Sequence, residues 1–222
     1  MAAKKNKPPP FNYCDYRCER CDERENCRVF KENQERIMDH YLRGEDPYNP
    51  DVFMKDLHDI FANTNNMVIR MAEDRGIDIS DATSQEAAEV NPEDYVVYRL
   101  AHTYFEEAHA FIKELEETGV TDAIREDFED LVWYHTLIVA KTGRLVSGFM
   151  DDFLDEELQT MEEEGTIGVI QKGITASSEA LHHMLNELPE QLYAISDLID
   201  MLKRLDKQLQ ADIRQKVVPD QK

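Results

Sequence analysis

The chain has 222 residues, 41% of them hydrophobic and 32% charged, with 47 acidic side chains against 25 basic ones and a net charge of −22. That length suits one sizeable core with a small satellite. No run of eighteen apolar residues suggests a membrane span, and a body this acidic repels phosphate backbones, which argues against nucleic acid as a partner.

The charge is uneven. Residues 1–44 hold ten Lys/Arg against eight Asp/Glu, for +2, and the remainder holds fifteen against thirty-nine, for −24. Residues 1–11, beginning MAAKKNKPPP, read as a disordered basic tail with a stiff proline run. The lysines are followed by no apolar segment of the secretory kind, so a cytoplasmic protein is expected.

All four cysteines follow at once, as Cys14, Cys18, Cys21 and Cys27, in the pattern C-x3-C-x2-C-x5-C. Neighbours this close make strained disulfides, and a cytoplasmic chain has little use for them. The intervening residues are mostly charged and cannot fold by their own burial. A bound metal can supply that free energy, about 10–16 kcal/mol for structural zinc in small modules. Four thiolates suit tetrahedral zinc. Four ligands in one short run suit an iron–sulfur cluster as well. Zinc is favoured, because nothing downstream resembles a redox partner site. Arg17, Arg20, Arg24 and Arg28 sit among the cysteines; solvated side chains balancing local acids account for them better than hydrogen bonds to sulfur do. Residues 12–44 thus read as a four-cysteine metal-binding module with a short helix, in which Val29, Phe30, Ile37, Met38, Tyr41 and Leu42 fall at helical spacing before Gly44.

Residues 45–222 read as an acidic helical bundle. Asn49 and Pro50 open its first helix as cap and first-turn proline, and Phe53, Leu57, Ile60, Thr64, Val68 and Met71 make one face up to Arg75–Gly76. Residues 77–90 read as a connecting loop. Asn91 and Pro92 repeat the start signal for a helix carrying Val97, Ala101, Tyr104, Ala108, Phe111 and Leu115. Thr121 and Asp122 open the longest predicted helix, to about Glu157, lined by Ile124, Phe128, Leu131, His135, Ile138, Thr142, Leu145, Phe149 and Phe153. Val132, Trp133, Tyr134 and Leu137 widen its apolar surface, as in a helix that is central or at a contact. Gly165 is expected to separate it from a helix bearing Ile167, Ile170, Ile174, Leu181, Leu185 and Leu188. After Pro189, the residues Leu192, Ile195, Ile199, Leu202, Leu209 and Ile213 form a heptad stripe interrupted by Asp206, which calls for a partner helix in this chain or another copy. Asp206 is expected to set register or meet Lys203.

No segment alternates with period two. The expected fold is therefore all-α, an antiparallel bundle of four to five long helices behind a small N-terminal four-cysteine module.

Two Glu-x-x-His pairs, Glu106/His109 and Glu179/His182, raise a ferritin-like di-iron oxidase. At about 100° per residue, Glu106 lies roughly 180° and His109 roughly 120° from the apolar stripe of their helix, and Glu179 about 135° and His182 about 75° from theirs, so the first pair is expected to face solvent and the second a flank. His135, amid an apolar stripe, is expected to be a neutral, hydrogen-bonded core histidine. No phosphate loop, nucleophile elbow or zinc-protease motif is present. The expected function is that of a non-enzymatic metal-binding protein. Its four-cysteine site would be structural or docking, and its bundle would meet a protein partner or self-associate through the C-terminal heptad helix. An iron–sulfur electron-transfer or redox-maturation accessory protein is the alternative.

Overall fold

The computed structural model describes residues 13–78, 90–148 and 156–215. The N-terminal tail, most of the 77–90 connection, Phe149 and Phe153 lie outside them, as does the side chain of Ile213. The described residues form six α-helices, joined by short 3-10 turns, and no strand. They are α1 (Arg28–Leu42), α2 (Pro50–Arg75), α3 (Val96–Thr118), α4 (Arg125–Gly148), α5 (Glu156–Glu187) and α6 (Leu192–Gln215). No described helix is long and apolar enough to cross a membrane. The chain divides into two compact units. One holds residues 1–17 and 90–222, the other residues 18–89.

The first unit is a four-helix bundle, in which α3 packs on α4 and α6, and α5 packs on the same two helices. The pairing is antiparallel. Asp127 near the start of α4 meets His183 near the end of α5, and Arg144 near the end of α4 meets Glu162 near the start of α5. On the other flank, Gln191 just before α6 donates to Glu114 near the end of α3 (2.8 Å). The core takes the apolar residues at helical spacing, among them Val97, Tyr104, Leu131, Ile138, Ile170 and Leu181, all buried.

The heptad stripe of α6 is covered within the same chain. Ile195, Ile199, Leu202 and Leu209 are buried, together with Leu198 and Leu205, and α6 packs on α3 and α5. Leu192 is exposed. Asp206 accepts from Gln210 one turn on, at 2.7 Å, while Lys203 pairs with Asp200, three residues before it on the same helix.

Gly165 breaks nothing: it is buried inside α5, which begins at Glu156. Helix α5 needs small residues because it runs close to α4. A Cβ placed at Gly173 would lie 2.9 Å from Ile138 Cγ1. The cost of glycine in a helix, about 1 kcal/mol against alanine, is tolerated when the packing requires it.

The second unit contains α1 and α2. Asn49 caps α2, its Oδ1 accepting from Asp51 N–H at 2.9 Å with Pro50 in the first turn. Gly76, at φ 65°, ends the helix in the left-handed conformation while Ile77 N–H reaches back to the Ala72 carbonyl (2.9 Å), a Schellman closure. Each helix buries one residue, His40 in α1 and Ala72 in α2.

Candidate metal-binding segment

The cysteine run starts on the bundle. Asp15 and Arg17, which bracket Tyr16, are both buried. Asp15 is held from three sides: its carboxylate Oδ2 accepts from Tyr134 Oη and from Lys172 Nζ, each at 2.6 Å, and its main-chain carbonyl accepts from Trp133 Nε1 at 2.7 Å. Arg17 reaches Asp130 Oδ1 at 3.1 Å and the Glu129 carbonyl at 3.4 Å, with its guanidinium 5.8 Å from the centroid of the Trp133 ring. Burial alone would raise the Asp15 carboxyl. The bonds from Lys172 and Tyr134 outweigh it and hold the group below its ordinary value. The Tyr134 phenol moves the other way, raised by burial and then by its Asp15 partner. Arg17 is thus no solvated side chain, because its fixed planar fork suits both an acidic partner and the indole face. Arg20, Arg24 and Arg28 are exposed.

Between these anchors the backbone turns sharply. Tyr16 has φ 62°, a left-handed value uncommon for a residue with a side chain. The turn lets Tyr16 N–H donate to Cys14 Sγ at 3.2 Å. A backbone N–H on sulfur favours the thiolate, the form in which cysteine binds metal. Lys141 supplies positive charge nearby. Its ammonium is 5.5 Å from the Tyr16 ring centroid, and burial and Arg144 lower its pKa while Cys14 acts to raise it.

Cys18, Cys21 and Cys27 continue through short 3-10 turns, Cys18–Arg20 and Arg24–Asn26, neither of which buries a residue. Cys27 is buried at the start of α1, and Cys14, Cys18 and Cys21 are half-buried. None of the four is in a disulfide. Among the described residues, no three Cys, His, Asp or Glu side chains converge closely enough to hold a metal ion. The four thiols therefore do not form a closed coordination site in this arrangement.

Other titratable groups are placed as follows. Glu106, His109, Glu179 and His182 are exposed. His135 is buried, its Nδ1 donating to the Val132 and Leu131 carbonyls at 2.8 and 3.1 Å. Its ring stacks on Phe105 (centroids 5.3 Å apart) and on His109 (5.8 Å). Burial lowers its pKa despite these bonds, so the ring is neutral.

His40 was not distinguished by any sequence signal. Its Nδ1 lies 2.7 Å from Glu45 Oε2 and its Nε2 2.9 Å from Asp56 Oδ2, and Arg36 also reaches Asp56. These contacts tie α1 to α2. Burial acts to raise the Asp56 carboxyl, but the bonds from Arg36 and His40 prevail and lower it.

The chain matches no family model, and no curated protein or solved structure is significantly similar to it.

Proposed function

We propose that this is a non-enzymatic metal-binding protein in which Cys14, Cys18, Cys21 and Cys27 together take one zinc ion, while the acidic bundle serves as a scaffold for protein contacts. The observation that carries the reading is the anchored turn at residues 14–17. Two buried charged residues, Asp15 and Arg17, fix a left-handed bend whose effect is to place a backbone N–H on the first sulfur. A polar segment clamped this firmly beside a cysteine, with three more cysteines within the next ten residues, is spent on the sulfurs rather than on the core.

Metal sites in small modules rarely exist before the ion arrives, and binding free energy becomes ordering free energy. The two 3-10 turns bury nothing, so little packing has to be broken for the run to close. Zinc bound by four thiolates carries net −2, and Lys141 is a cation placed to offset the charge near Cys14. The role of the ion is structural: it orders a charged stretch that has no core of its own.

Metal analysis of the full chain, purified without oxygen, tests this. One zinc per chain is expected, falling to background in the double variant Cys18→Ser, Cys21→Ser. A brown protein containing iron and acid-labile sulfide would instead assign the same cysteines to a cluster. Iron that survives loss of the cysteines would point to the bundle histidines and glutamates. A wild-type chain that takes up no metal when zinc is added overturns the proposal.

A further inference from the structure

Helix α2 is 26 residues long and buries one of them, Ala72. Protein helices gain most of their stability by packing an apolar face rather than from propensity. The apolar face of α2 is left uncovered among the described residues: Phe53, Ile60, Phe61, Met67, Val68 and Met71 are each between 45% and 66% exposed.

The face is symmetric about its middle. Around Thr64, Phe61 and Met67 stand three residues to either side, Ile60 and Val68 four, Leu57 and Met71 seven. At about 100° per residue, all of these lie within about 60° of Thr64 on the helix surface. Eleven residues out, Phe53 is matched by Arg75. Such a stripe is its own complement under a two-fold axis through Thr64, the requirement for an isologous contact.

A charge-free middle and the helix dipoles fit the same arrangement. Residues 60–69 carry no charge. At the N-terminal end Asp56 is already paired with Arg36 and His40, and at the C-terminal end Arg70 and Arg75 are balanced by Glu73 and Asp74. An antiparallel pair opposes the helix dipoles. It also puts Arg75 opposite the Phe53 ring, a cation–π pairing. The area suffices. Phe53 and Phe61, 53% and 66% exposed, can each lose roughly half to two-thirds of the ~150–250 Å² of a covered aromatic, and with five further side chains the seam comes to roughly 600 Å² per partner, the low end of ordinary stable interfaces.

We infer that α2 is the homodimerisation element of this protein, pairing antiparallel with α2 of a second copy about an axis at Thr64. The inference does not depend on the metal. It also moves self-association from the C-terminal heptad helix, whose stripe is already covered, to a helix whose stripe is not.

Sedimentation of the full chain over a range of concentrations should show a species of twice 25.9 kDa. Ile60→Asp with Val68→Asp places four unpaired carboxylates in the seam and should weaken dimerisation roughly a hundredfold or more, with the helical circular dichroism of the bundle retained. A second measurement needs no disruptive change: p-benzoylphenylalanine in place of Phe61, irradiated, should yield a covalent dimer whose linked peptide contains Met67. A monomer at every concentration overturns the inference. So does a dimer indifferent to the two aspartates, or a crosslink running to α3–α6 of the same chain.

Discussion

Leu205 in α6 and Ile60 in α2 are both aliphatic residues on apolar stripes of spacing three and four. The first is wholly buried and the second is 53% exposed. The difference lies not in the helices but in what each meets. Helices α3 to α6 cover one another around a continuous core, whereas α1 and α2 are linked chiefly through polar contacts at His40, Asp56 and Arg36. A helix pair held by polar groups at one place does not bury enough apolar surface to offset the entropy of ordering it. The bundle supplies its own stability. The unit of residues 18–89 is where both proposals fall: an ion at the cysteines and a second chain along α2 would supply what its own packing does not.

That contrast can be broken most forcefully in the core. Leu205→Ala should cost the bundle about 2–5 kcal/mol, the usual range for a fully buried leucine, read by denaturant unfolding. Val68→Ala should leave bundle unfolding unchanged and weaken only self-association. Equal effects on bundle unfolding would erase the distinction.

The next largest effect is expected at the clamp. Asp15→Ala removes the acceptor of two charged or buried donors and should cost about 2–3 kcal/mol. The single tryptophan of the chain, Trp133, donates to the Asp15 carbonyl, so its emission reports directly on the docked turn. Because the folded Asp15 carboxyl is lowered, its contribution is complete above the ordinary carboxylate pKa of about 4 and is lost as pH falls through the lower folded value. Trp133 emission should shift in that acid window, and Asp15→Asn should abolish the shift.

The smallest effect sharpens the account of the bundle surface. The His183 ring, 2.5 Å from Asp127 Oδ2, is raised by that bond. Its contribution is full below the unfolded histidine value of about 6.5 and is lost as pH rises through the folded one. His183→Gln should flatten stability against pH across neutrality, lowering it at mildly acid pH and leaving it unchanged at alkaline pH.

Much of the helical framework was legible because it rests on local chemistry. The Asn49–Pro50 cap, the stripe from Val97 to Leu115 and the turn of chain at Pro189 follow from side-chain spacing and backbone restriction. Gly165 misled because a glycine can stop a helix or sit buried within one, and spacing along the chain alone does not decide between them. The clamp was hidden for a different reason. Asp15 and Arg17 find their partners 112 or more residues away, a separation that no periodicity encodes. One half of it did show, as the broad apolar surface around Trp133 and Tyr134; what that surface receives did not. The pairing of His40 with Asp56 was hidden in the same way. The cysteine run was conspicuous in sequence, and the fold adds the fixed turn at its first member.

X-ray absorption at the zinc edge of the purified full chain tests the central claim most directly. Four sulfur neighbours at about 2.3 Å, the distance of a zinc thiolate bond, are what the account predicts. A shell of nitrogen and oxygen ligands alone, or zinc that dialysis removes from the native chain as readily as from the Cys18→Ser, Cys21→Ser variant, would contradict it.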